Sequence, residues 1–110
     1  MSEKGETEQK IAQLQLLEQN LQNLLMQRQQ FQAQLIEVES ALSELKETKE
    51  AYKIIGNIMV ASDKESLRKE LDKKKEILSI RISTLEKQEN QFKEKATKMR
   101  GEVLEKIKEK

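Results

Sequence analysis

The sequence predicts a mainly α fold: a long antiparallel two-helix coiled coil joined by a short β-hairpin, which assembles with other hairpins into an intersubunit β-barrel. Three observations predict it. Apolar residues recur at alternating spacings of three and four in both halves of the chain, a β-branched run around a Gly-Asn pair separates them, and the 110 residues hold 35% hydrophobic against 37% charged side chains. A compact globule of this size carries roughly 45–50% apolar and about 25% charged residues, so the composition supplies a thin seam and no thick core.

The first half carries its period on Leu14, Leu17, Leu21, Leu24, Arg28, Phe31, Leu35, Val38, Leu42 and Leu45, all but one of them apolar. That spacing keeps a single stripe facing a partner at 3.5 residues per turn, the a/d seam of a left-handed coiled coil. The spacing predicts a helix over about residues 7–50. Its flanks are rich in Gln, a good helix former that cannot choose a partner by charge.

The middle segment, Ala51 to Ala61, reads as two short strands and a tight turn, a hairpin over about residues 51–61. Gly56 and Asn57 tolerate the positive φ of a two-residue hairpin turn. Strict alternation puts Tyr52, Ile54, Ile58 and Val60 on one face, with Ile55 and Met59 on the other. An isolated two-stranded hairpin with free edges is marginal in water, so this one predicts assembly through Tyr52, Ile54, Ile55, Gly56, Asn57, Ile58, Met59 and Val60. The alternative is that the hairpin folds back over its own helix ends.

The second half repeats the seam with Leu71, Lys75, Leu78, Ile82, Leu85, Glu89, Phe92, Ala96, Met99 and Val103, predicting a helix over about residues 63–107. Ser62 and Glu65 have the spacing of a capping box at its start. If the chain folds back at the hairpin, the two seams agree on one antiparallel register. Leu42 meets Leu71, Leu35 meets Leu78, Phe31 meets Ile82, Leu21 meets Phe92, Leu17 meets Ala96 and Leu14 meets Met99. Residues 1–110 then make a single rod-like domain. Residues 1–50 hold 5 basic and 9 acidic side chains and residues 51–110 hold 16 and 11, so the halves, at about −4 and +5, attract each other. Screening over about 8 Å limits that attraction to favouring the pairing without setting its register.

Arg28 and Glu89 interrupt the seams one layer apart and are expected to pair across them, a device that specifies register at some cost in stability. At the end far from the hairpin, Ile11, Leu14, Leu16 and Leu17 come near Met99, Val103, Leu104 and Ile107, more apolar residues than one seam uses. Gly101 weakens the helix there by about 1 kcal/mol relative to Ala. The cluster is either a surface for apolar segments of other proteins or a widened seam.

The composition excludes most chemistry. With no His and no Cys, the usual zinc ligands, the usual neutral-pH base and every thiol nucleophile are missing, and no phosphate loop is visible. An enzyme, a cofactor and a metal site are therefore not expected. Lys73, Lys74 and Lys75, and the terminal Lys106, Lys108 and Lys110, are interleaved with acids and lack stacking aromatics, which argues against nucleic acid. The terminal lysines suit an acidic protein surface instead. No apolar run long enough to span a membrane and no secretory leader is seen, so a cytoplasmic location is expected.

At the hairpin and beyond it, the run Tyr52 to Val60 (YKIIGNIMV) and the segment Lys69 to Glu89 (KELDKKKEILSIRISTLEKQE) resemble the beta class of the archaeal prefoldins, which are chaperonin cofactors. A single hairpin between the helices fits that class, because alpha-class subunits have a longer four-strand insertion. The resemblance implies a heterohexamer of two alpha and four beta subunits, built on β-barrels with coiled coils hanging from them. It further implies that the tips hold unfolded proteins without ATP and pass them to a group II chaperonin. Carried onto this chain, Ile11, Leu14, Leu16, Leu17, Met99, Val103, Leu104 and Ile107 are the client contacts, the hairpin residues mediate assembly, and Lys106, Lys108 and Lys110 dock the chaperonin. The alternative function is a structural coiled-coil adaptor that binds one specific partner.

Overall fold

The computed structural model describes residues 3–108 as helix α1 (Glu3–Glu47), strands β1 (Ala51–Ile55) and β2 (Ile58–Ser62), and helix α2 (Lys64–Lys108). The helices are long because the chain lacks Pro altogether and places few Gly inside them. The chain divides into two compact units. One joins α1 through Arg28 to α2 from Thr84 onward, and the other is Gln29–Ser83, which contains the hairpin.

In the unit that carries the termini, Leu85, Ala96 and Val103 are buried, and Leu14, Leu17, Leu21, Leu24, Phe92 and Met99 are half-buried. Lys10 pairs with Glu102 at 3.3 Å and Arg100 with Glu18 at 2.9 Å, so the two helical segments run antiparallel around the expected layers. In the hairpin unit, Val38, Leu45, Ala51, Leu78 and Ile82 are buried, and Leu35, Leu42 and Leu71 are half-buried. There the Arg81 guanidinium lies over the half-buried Phe31 ring, 5.6 Å from its centroid. Of the twenty seam positions named above, Lys75 alone is exposed. The core is one layer thick: no described side chain is withdrawn from solvent to below 2% exposure.

The junctions differ from expectation in three places. Helix α1 stops at Glu47, before the expected residue 50, and side chains satisfy its last carbonyls in place of a glycine cap. The Thr48 hydroxyl donates to the Glu44 carbonyl at 2.6 Å, and the Lys64 ammonium, from the first turn of α2, approaches the Lys46 carbonyl at 3.4 Å. At the start of α2 the cap is Asp63, not Ser62. Asp63 Oδ2 accepts from the Ser66 amide at 3.1 Å and the Ser66 hydroxyl at 3.0 Å, while Ser62 is still paired with Ala51 in the sheet. Glu65 does not reach back to a cap. It pairs forward with Arg68, whose hydrogen bond holds the Glu65 carboxyl below its ordinary range.

The hairpin faces also differ. The register pairs Tyr52 with Ala61, Lys53 with Val60, Ile54 with Met59 and Ile55 with Ile58. Partners in an antiparallel ladder share a face, so Tyr52, Ile54, Met59 and Ala61 lie on one side and Lys53, Ile55, Ile58 and Val60 on the other. Strict alternation fails across a two-residue turn because β1 residues of one parity face β2 residues of the other. Gly56, at φ 60°, is the one described residue with positive φ. Asn57 does not share that conformation, so the turn uses a positive φ at its first central position only, as a type II′ turn does.

The cap assignment is testable by denaturation. Asp63→Ala is expected to cost about 0.5–2 kcal/mol, the ordinary value of an N-cap, and Ser62→Ala distinctly less. An equal or larger loss at Ser62 would return the cap to that residue.

Candidate functional site

Two exposed apolar surfaces stand out, one in each unit. In the hairpin, Ile54, Ile55, Ile58 and Met59 are between 58% and 70% exposed, and Tyr52 and Val60 are exposed as well. Ala51 is the one buried residue of the two strands. The hairpin therefore does not cover its apolar side chains with its own helix ends. Among the described residues β1 pairs with β2 alone, which leaves one unpaired edge on each strand.

Polar contacts around the base hold this hairpin in place. Lys53 Nζ reaches Glu70 Oε1 on α2 at 2.7 Å. The Tyr52 hydroxyl donates to Glu50 Oε2 at 2.8 Å, and that bond to a carboxylate keeps the phenol protonated above its usual range. Beside the hairpin, Tyr52 and Ile54 line a groove together with Ala41, Leu67, Leu71 and Ile77. Leu67, Ile77 and the Lys53–Glu70 pair were not singled out in the sequence. Leu67, four residues before Leu71, carries a helical-spacing signal, whereas an ion pair between strand and helix has none.

In the terminal unit the expected cluster splits in two. Val103 is buried in the seam, and Leu14, Leu17 and Met99 are half-buried there. Leu16, Leu104 and Ile107 lie off the seam and are 52–58% exposed, with Ile11 exposed at the margin. The terminal lysines do not form one patch: Lys106 is half-buried, Lys108 is exposed, and Lys110 lies outside the described residues.

Between these surfaces in sequence sits the one buried charged residue of the described chain, Glu89. Its Oε2 accepts from Arg28 Nε at 2.8 Å, so the two charged seam residues pair as expected. Glu89, Lys93, Glu18, Leu21, Gln22 and Leu25 line a small cavity beside the pair. Among the described residues there is no cluster of three potential metal-binding side chains, and no helix is long and apolar enough to cross a membrane. The geometry supplies apolar surface, unpaired strand edges and a polar layer.

Comparison with known proteins places these features. Residues 8–110 match the family described as prefoldin subunit. A prefoldin subunit beta of Archaeoglobus fulgidus is 46% identical over 88 residues, covering 77% of this chain and 76% of that protein. One from Sulfurisphaera tokodaii is 41% identical over 88 residues, covering 77% and 70%. The crystal structure of the prefoldin beta subunit from Thermococcus strain KS-1 superposes with a TM-score of 0.83 at 30% identity, over 89% of each chain.

The split of the terminal cluster predicts different costs for neighbouring residues. Val103→Ser is expected to destabilise the chain by about 1–3 kcal/mol, whereas Leu104→Ser stays within about 0.5 kcal/mol. Thermal unfolding of the two variants checks this, and equal losses would mean that Leu104 also packs in the seam.

Proposed function

The chain belongs to the prefoldin family, and from that premise we propose that it is the beta subunit of an ATP-independent holdase that shields unfolded proteins and delivers them to a group II chaperonin. The observation that carries this reading is the exposed apolar hairpin. Burying a large aliphatic side chain contributes about 1.5–3 kcal/mol, and four such residues stand open on strands that also lack partners on one edge. Pairing with hairpins of neighbouring subunits removes both liabilities at once, and a closed barrel leaves no edge. An alpha subunit is the expected partner, in an assembly of two alpha and four beta chains.

The client surface is the cluster of Ile11, Leu14, Leu16, Leu17, Met99, Val103, Leu104 and Ile107. Leu16, Leu104 and Ile107 are available as the chain stands. The seam residues among them become available only where the two helices part, which helix ends do at low cost. Each contact is weak, and several subunits acting together give avidity while every contact stays reversible. Release then needs no hydrolysis. Chaperonin contact falls to the same region, with Lys106, Lys108 and Lys110 as the charged candidates.

The first test is light scattering from a denatured, aggregation-prone protein diluted into buffer without ATP, with this chain alone and with a prefoldin alpha subunit. Suppression near stoichiometric amounts, for more than one client, is the expected result. No suppression by a confirmed heterohexamer would overturn the holdase reading in favour of an adaptor. In the assembled complex, Leu16, Leu104 and Ile107 replaced together by Ser should weaken protection and leave the hexamer intact; undiminished protection would remove the terminal cluster from the client site. Ile54→Asp with Ile58→Asp places one charge on each hairpin face and should leave the chain unable to join the hexamer on a sizing column. A normal hexamer from that variant would refute barrel assembly.

A further inference from the structure

We propose that the Arg28–Glu89 pair selects partners: it makes α1 pair with an α2 and not with a second copy of α1. The need for such a selector is visible in α1. Nine of its ten seam positions are apolar, and Gln13, Asn20, Gln27 and Gln34 follow one flank at seven-residue spacing without a single charge. Nothing in that flank repels a second copy of α1, and a Leu-rich seam of this length is a competent dimerisation surface. The like net charge of two α1 helices is spread over exposed, screened positions and discriminates weakly.

The seam charges discriminate more strongly because they are less solvated, Glu89 being buried and Arg28 half-buried. Glu89 is 5% exposed and receives Arg28 Nε at 2.8 Å. Lys75, the other charged seam residue, is exposed and can keep its ammonium in water whatever lies opposite. A parallel in-register pair of α1 helices sets Arg28 against Arg28, and a pair of α2 helices sets Glu89 against Glu89. An antiparallel α1 pair leaves Arg28 facing apolar layers unless it centres on Arg28 itself, and an antiparallel α2 pair does the same to Glu89 unless it centres on Glu89 itself or on Ile82, where Lys75 comes opposite Glu89. In the α1 pairs Arg28, half-buried in the native seam, gives up its carboxylate partner, which is the costly way to break an ion pair drawn out of water. The cross-helix pairs Lys10–Glu102 and Arg100–Glu18 are too exposed to impose such a penalty. Replacing both members of a buried pair by apolar residues is often neutral or stabilising, so the pair serves choice of partner and not stability.

The absence of cysteine gives a clean reporter. Leu24→Cys lies in the α1 seam one layer from Arg28, faces α2 in the native pairing, and meets its own copy in a parallel α1 pair. In full-length chains carrying it, refolded under mild oxidation, Arg28→Leu with Glu89→Leu should retain helicity and a melting temperature at or above the parent's. Interchain disulfide should nevertheless rise on the order of tenfold or more, as for loss of a buried-charge penalty. Glu89→Gln, which keeps the shape and an acceptor, should change cross-linking in the same direction. Removing the exposed pair by Arg100→Leu with Glu18→Leu should leave cross-linking at the parent level. The proposal is overturned if neither the Leu pair nor Glu89→Gln raises the interchain disulfide, or if the exposed-pair variant raises it equally.

Discussion

Nearly everything this chain buries is buried by one helix stripe meeting another. The seam is a single layer, so each helix gives up roughly two residues in seven to it, and most of the remaining helical surface is charged or amide-bearing. Such a stripe cannot be covered by its own helix, and a helix of this composition alone has little reason to stay folded. Enclosure of the two stripes in antiparallel order is therefore the condition on which both units depend. It also accounts for the composition, because a fold with a one-layer core can hold 37% charged residues without burying unpaired charge.

The same thinness determines what is left over. A second layer would have swallowed the isoleucines of the hairpin and the off-seam leucines near the termini. With no such layer, these side chains face solvent in the isolated chain. The two surfaces differ in kind. The hairpin offers strand edges and β-branched residues at fixed register, which suit a defined structural partner. The terminal unit offers scattered Leu and Ile on helices with no edge to pair, which suit varied apolar segments and specify none of them.

Much of this was legible in the sequence because the seam period is long and nearly uninterrupted. That period alone puts Arg28 and Glu89 one layer apart, near enough to pair across the seam, and they pair at 2.8 Å. What escaped was local. Asp63 and Ser62 are both good caps, and only the sheet register, which uses Ser62 to close against Ala51, decides between them. The hairpin faces were misassigned because a two-residue turn changes the parity of facing positions, which alternation counted along one chain cannot see. Among the apolar residues near the termini, the division into seam and surface follows from position in the heptad. Leu104, off the a/d stripe, is exposed while its neighbour Val103, on it, is buried, so that division was legible in the sequence.

The two leftover surfaces are expected to take two different partners. Amide hydrogen exchange of the full chain tests that expectation most directly, first alone, then with an alpha subunit, then with an unfolded client added. An alpha subunit should slow exchange across residues 51–62 and leave the terminal segments unchanged. A client should then slow exchange around residues 11–17 and 99–107 only. Unchanged exchange in the hairpin on assembly, or client protection that falls on the hairpin, would contradict it.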